Sequence, residues 1–164
     1  MVNIRIEKKP SFQIVGQKIW VSGQDNEIFE AFWKQAHESG LVTRLKSISA
    51  KAGNRITGSD VFGVSRVEKD PDNRAFYFYI AAEAADGAVE GEWESYMVPA
   101  CTWAIFSNKG ELPMSLIQAE MFAFMEWLPA SPYQHAHAPE LEVYPTNDSS
   151  LAEFWLPIAA NDHP

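Results

Sequence analysis

Two stretches of this chain, about 1–84 and 92–160, run through one order of elements, and that repetition restricts it to folds that two similar halves can build together. In the first half, Ile4 to Ser22 alternates apolar and polar residues around Pro10 and Gly16, as one bent strand or two short ones do. A helix follows, with Asp25 or Asn26 as N-cap and Glu27 and Glu30 at its positive end. Its apolar stripe is Ile28, Phe29, Phe32, Trp33 and Ala36, and Gly40 suits the left-handed residue that ends it. Thr43 to Ser59 has no clear period and reads as a loop; Val61–Val64 and Phe76–Ile80 then form a hairpin across the turn Asp70-Pro-Asp-Asn73.

The second half repeats this order. Tyr96 to Phe106 is a strand pair kinked at Pro99, a turn falls at Lys109-Gly110, and a helix spans Pro113 to Trp127, where Pro129 blocks its continuation. The strands Leu141–Tyr144 and Phe154–Ile158 flank the turn Pro145-Thr-Asn-Asp-Ser149. The hairpin ends are alike too, Ala75-Phe-Tyr-Phe-Tyr-Ile-Ala-Ala82 against Glu153-Phe-Trp-Leu-Pro-Ile-Ala-Ala160. The pattern predicts one α+β domain over 1–164, with two strand-helix-hairpin units related by a pseudo-two-fold axis. An antiparallel curved sheet would carry two main helices, and a central ligand cleft would lie where the halves meet.

Chemistry enters through two acidic segments, Glu140-Leu-Glu-Val-Tyr144 and Glu153-Phe-Trp-Leu-Pro157, which set carboxylates among aromatic strand residues. A carboxylate removed from water needs compensation, and a cation can supply it; the plainer alternative is the wet face of a half-buried strand. Aromatics are 13% of the chain, more rings than one small core needs, so Trp33, Phe62, Tyr79, Trp103 and Tyr144 are candidates for both core and pocket walls. The net charge of -9 disfavours direct binding to nucleic acid and favours a cationic partner. Glu83, Asp86, Glu90, Glu92 and Glu94 read as a solvated face that would draw cations from a distance.

Other chemistries have less support in the sequence. No window is long and apolar enough for a membrane span, and the single Cys101 allows no internal disulfide, consistent with a reduced cytoplasm. Cys101 reads as a small core residue rather than a nucleophile. His135 and His137 lie in a Pro-rich loop with no third ligand beside them and read as solvated, so no metal or other cofactor is expected.

The series Tyr96 to Gly110, Glu126-Trp-Leu-Pro-Ala-Ser-Pro-Tyr133, Pro139-Glu-Leu-Glu-Val-Tyr144 and Glu153-Phe-Trp-Leu-Pro-Ile158, with Val61-Phe-Gly-Val64 before it, resembles the effector-binding domain of the gyrase-inhibitor-like superfamily. That resemblance implies a ligand-binding module of the kind fused to DNA-binding domains in AraC-type and MerR-type regulators. As the chain starts at the module itself, it is similar to stand-alone members such as integron-cassette proteins that bind cationic drugs. It implies a non-catalytic binder of lipophilic, cationic, aromatic small molecules, with Glu153 or Glu142 as the counter-charge at the floor of an aromatic cleft. The alternatives it carries are a small-molecule hydrolase using Glu153 and Trp103, and a protein-binding inhibitor of gyrase whose acidic surface mimics DNA. A separate regulator is a further protein partner under the first reading.

Overall fold

The computed structural model describes residues 1–22, 27–53, 55–85, 91 and 93–161. The expected N-cap at Asp25 or Asn26 lies outside the described residues, as do Asp86, Glu90 and Glu92. Among the described residues, nine strands form one antiparallel curved sheet: β1 (Asn3–Lys9), β2 (Phe12–Val21), β3 (Phe62–Arg66), β4 (Phe76–Glu83), β5 (Glu94–Val98), β6 (Cys101–Lys109), β7 (Tyr133–His135), β8 (Glu140–Val143) and β9 (Leu151–Ala160). The order along the sheet is β1-β6-β9-β8-β3-β4-β2-β5, with β7 paired to β9.

That order is the same read from either end once the halves are exchanged. The trio β2, β4, β3 of the first half matches β6, β9, β8 of the second, and each half sends its leading strand across to edge the other half. The seam is the pairing of β3 with β8, where Gly63 faces Glu142, Val64 faces Leu141 and Ser65 faces Glu140. The expected strands at Tyr96–Phe106 are present as β5 and β6, but they pair with β2 and with β1 and β9 rather than with each other.

Directly paired residues share a sheet face, so the register sorts the side chains. One row runs Phe154, Glu142, Gly63, Ile80; the adjacent row runs Trp155, Leu141, Val64, Tyr79 on the opposite face. The first face carries the helices. Helix α1 (Glu27–Glu38) buries Phe32 and Ala36 against Phe76, Phe78 and Ile80, with Glu27 and Glu30 in its first turn and His37 in its last. Gly40, at φ 83, turns the chain straight into helix α2 (Leu41–Lys51), which buries Leu41, Val42 and Leu45. This helix replaces the loop expected from Thr43: the spacing of its buried residues is helical, but Arg44, Lys46 and the small residues between them blur the period.

On the second half, α3 (Met114–Phe122) packs Leu116 and Ala119 on Phe106, Phe154 and Leu156. The chain continues as a π-helical turn, Ala123–Trp127, and ends in the short helix α4 (Leu128–Ala130). The wider turn lets Phe124 stack on His135 while Trp127 sits edge-on to Phe106 and stacks on Tyr133. The opposite sheet face has its own core, in which Trp103 and Trp155 pack edge to face at 5.6 Å among Phe62, Tyr79, Ile105 and Leu141. Glu83 is buried rather than solvated, since its carboxylate accepts the Ile56 and Thr57 amides at 2.6 and 3.0 Å and the Thr57 hydroxyl at 2.8 Å.

Candidate functional site

Where the two helical layers part above the β3/β8 seam, a cleft of about 1010 Å³ opens. Its first-half wall comes from Phe29, Trp33 and Val42; its second-half wall from Leu112, Ile117 and Met121; its floor from Phe76, Glu140 and Glu142. Trp33 and Tyr144 meet edge to face at 5.8 Å and 88°, across the line between the halves. The Ser59 hydroxyl accepts the Tyr144 amide at 3.3 Å, and Gly58 accepts the Thr146 amide at 3.1 Å, which ties the loop before β3 to the one after β8 at one end of the cleft.

Five acidic residues line this space, Glu30, Asp60, Glu120, Glu140 and Glu142, and the last three differ most in what surrounds them. Glu140 is almost fully buried and is clasped by Arg74, Nη1 to Oε2 at 3.0 Å and Nη2 to Oε1 at 2.8 Å, while His135 Nε2 lies 2.8 Å from Oε2. Burial pushes its pKa upward, but the hydrogen bonds from His135 and Arg74 win and hold it below the ordinary carboxylate value. Glu140 is thus a neutralised ion within the floor. Arg74 is itself held over the rings of Phe76 and Phe124, at 5.4 and 5.5 Å.

Glu142, two residues on and on the same face, has no cation paired with it among the described residues. Burial pushes its pKa up to about 7, with the Glu140 charge adding to the rise and the Tyr144 hydroxyl, which donates to Oε2 at 3.0 Å, opposing it. Its carboxylate fits because the facing residue is glycine: a Cβ on Gly63 would stand 3.0 Å from Glu142 Oε2 and 2.7 Å from Phe78. Glu120 descends from α3 into the same space. Burial raises its pKa well above the ordinary value, and the charges of Glu142 and Glu140 raise it further against the pull of Arg74.

Of the seven residues expected at the site, Glu142, Trp33 and Tyr144 line the cleft. The other four do not. Phe62, Tyr79, Trp103 and Glu153 lie on the opposite face of the sheet, buried to 0, 2, 0 and 3% exposure, because strand parity points them away from the helices. Glu153 sits with Trp155 and is fully engaged there: it accepts Arg5 Nη1 at 2.8 Å, the Ser107 hydroxyl at 3.0 Å and the Trp155 indole N–H at 3.0 Å. It compensates the chain's own arginine and has no contact with the cleft.

The residues that sequence reasoning missed are Glu120, Glu140 and Arg74. A glutamate amid Ala119, Met121 and Phe122 on an apolar helix, and a second glutamate in phase with Glu142, were the available signals. Among the described residues no cluster of three or more His, Cys, Asp or Glu side chains could hold a metal ion. His135 belongs to β7 and is held against Glu140 rather than standing in a solvated loop, whereas His137 is exposed, as expected, with its Nδ1 2.9 Å from the Glu68 carbonyl. Burial pushes the Cys101 thiol up to about 12, which leaves it unreactive as a nucleophile. No helix among the described residues is long and apolar enough to cross a membrane.

The GyrI-like small molecule binding domain matches residues 2–159. Among solved structures, SAV2435 bound to tetraphenylphosphonium superposes with a TM-score of 0.79 at 16% identity, covering 96% of this chain and 94% of that one. The integron cassette protein VCH_CASS2, from the mobile metagenome of Vibrio cholerae, gives 0.68 at 16% identity over 95% of both chains. EcmrR in a complex with DNA gives 0.63 at 18% identity, over 98% of this chain and 58% of that longer one. At these identities the structures attest the shared fold. No curated protein sequence matches significantly. Covering nearly the whole length, the family match and the seam-spanning cleft agree, and the chain belongs to the GyrI-like small-molecule-binding domain family.

Proposed function

We propose that the chain acts as one effector-binding unit whose cleft takes up lipophilic, aromatic cations without transforming them. The observation that carries this reading is Glu142, a half-buried carboxyl on an aromatic floor with no cation paired to it among the described residues. A ligand cation supplies what the fold withholds, and because the fold already carries much of the cost of desolvating Glu142, the pairing is stronger there than between the same charges in water. The faces of Trp33 and Tyr144 add about 0.5–2 kcal/mol each for a cation they contact. Burying the ligand's rings against Phe29, Phe76 and Met121 adds about 25 cal/mol per Å².

Ser59 donates to the Val61 carbonyl and Thr146 to the Gly58 carbonyl, while the Tyr144 hydroxyl donates to the Glu142 carboxylate, so recovery of the ligand unchanged is what separates binding from turnover. The tetraphenylphosphonium held by SAV2435 gives a chemically suitable probe, an aromatic cation with no hydrogen-bonding group. On this reading the ligand-bound form reports to a separate protein partner rather than to nucleic acid, in keeping with a net charge of -9.

Isothermal titration with tetraphenylphosphonium and with neutral triphenylphosphine oxide at about pH 8 tests the reading. The cation should bind one per chain, be recovered unchanged, and exceed the neutral compound by at least about tenfold in affinity. Equal affinity for the two, or consumption of the ligand, would sink it.

A further inference from the structure

Glu120 and Glu142 approach the cleft from different layers, one from α3 and one from β8, and each lies within the other's electrostatic reach. Among the described residues, none of the charged groups around them forms an ion pair with either carboxyl. On β8, Glu140 is already matched by Arg74 and His135, and its residual field is negative toward both. From α1 come Glu30 and His37, from α2 comes Lys46, and Asp60, held by Arg55, stands at the loop. Beyond β8, Tyr144 gives its only hydroxyl proton to Glu142. Among the described residues, the one cation that acts on either carboxyl is Arg74, on Glu120, and its two η-nitrogens are committed to Glu140.

Two carboxylates cannot both stay ionised in such a space without a cation, and a proton is the smallest one available. We propose that the empty cleft keeps one proton shared by the Glu120/Glu142 pair, and that an entering cation displaces it to solvent. Glu120 is then a second counter-charge of the site and a proton store. Ligand uptake and proton release are one event: the carboxylic acid O–H breaks, its proton passes to water or buffer, and the ligand's charge takes its place. Two consequences follow from charge balance alone. Affinity for a permanent cation rises as pH rises, up to tenfold per unit where a whole proton is displaced, and bulk acid competes with the ligand. The empty cleft also avoids holding two bare negative charges, so it can remain folded around its aromatic walls.

This inference rests on the cation-binding reading but can fail separately. In the ligand-free protein, the side-chain carboxyl carbons of Glu120 and Glu142 are followed by carbon NMR from about pH 4 to 9. The expected result is a coupled pair, with the Glu120 step displaced well above the ordinary carboxylate range and the Glu142 step beneath it. In Glu142→Gln the Glu120 step should move down, which a carboxyl that is merely buried would not do. Glu120 titrating in the ordinary range, or indifferent to Glu142→Gln, would overturn the proposal whatever any ligand does.

Tetraphenylphosphonium titrations in buffers of different ionisation enthalpy count the protons. The wild type should release close to one per cation at about pH 7.5, and Glu120→Gln only the small fraction still held on Glu142, with an affinity that levels off above about pH 7. Binding without proton release in the wild type overturns the proton store and leaves cation binding standing. Absence of binding overturns the functional reading, while the ligand-free titration still decides the proton store.

Discussion

Glu142 and Glu153 stand on neighbouring strands of one hairpin, a single residue out of phase, since Glu142 faces Phe154 and Glu153 faces Val143. Both are acidic residues set among aromatic ones, but strand parity sends one to the helix face and the other behind the sheet. Behind the sheet, Glu153 gains Arg5, Ser107 and Trp155 as partners. In the cleft, among the described residues, Glu142 gains a tyrosine hydroxyl and a like charge. The difference separates a carboxylate that the fold uses for itself from one that it leaves to be answered from outside.

The contrast can be broken most severely from the neutralised side. Arg74→Met removes the bidentate partner of buried Glu140 and should cost about 3 kcal/mol in chemical denaturation, because the carboxylate that remains keeps only His135. Gly63→Ala should cost about 1–3 kcal/mol and weaken cation binding as well, since its Cβ intrudes on both Phe78 and Glu142. Equal affinity in a folded Gly63→Ala protein would show that Glu142 need not sit where the glycine places it. Trp33→Leu should leave the fold intact and reduce tetraphenylphosphonium affinity by a factor of roughly 3–30, the span of one cation–π contact.

The smallest effect concerns pH in the ligand-free protein. Glu142 has a folded pKa raised to about 7 from an ordinary 4.5, so its contribution to stability is complete at acid pH below the ordinary value and is lost as pH rises through about 7. Melting temperature should therefore fall between about pH 5 and 8 in the wild type and fall less in Glu142→Gln. Glu140, lowered instead, runs the other way: it stabilises above the ordinary carboxylate range and loses that contribution on acidification.

The duplicated order of elements was legible because turns and apolar runs are local signals, and it led to the antiparallel sheet and the seam. Helix α2 was hidden because Leu41, Val42, Leu45 and Ile48 are interleaved with Arg44, Lys46 and serines, which soften the period. The face that each strand turns to the helices depends on register, and register depends on partners distant in sequence. For that reason Tyr144 and Trp33 were found in the cleft, while Tyr79, Phe62, Trp103 and Glu153 were not. Arg5 and Arg74 are separated by 148 and 66 positions from the glutamates they bind, and no local pattern announces either pair.

Titrating tetraphenylphosphonium into wild type, Glu142→Gln and Glu153→Gln side by side at about pH 8 tests the central claim most directly. Glu142→Gln should lose at least about tenfold in affinity while staying folded, and Glu153→Gln should bind within about twofold of wild type even though its fold is weakened. The reverse outcome, with Glu153→Gln losing the cation and Glu142→Gln keeping it, would contradict the assignment of the cleft and of its counter-charge.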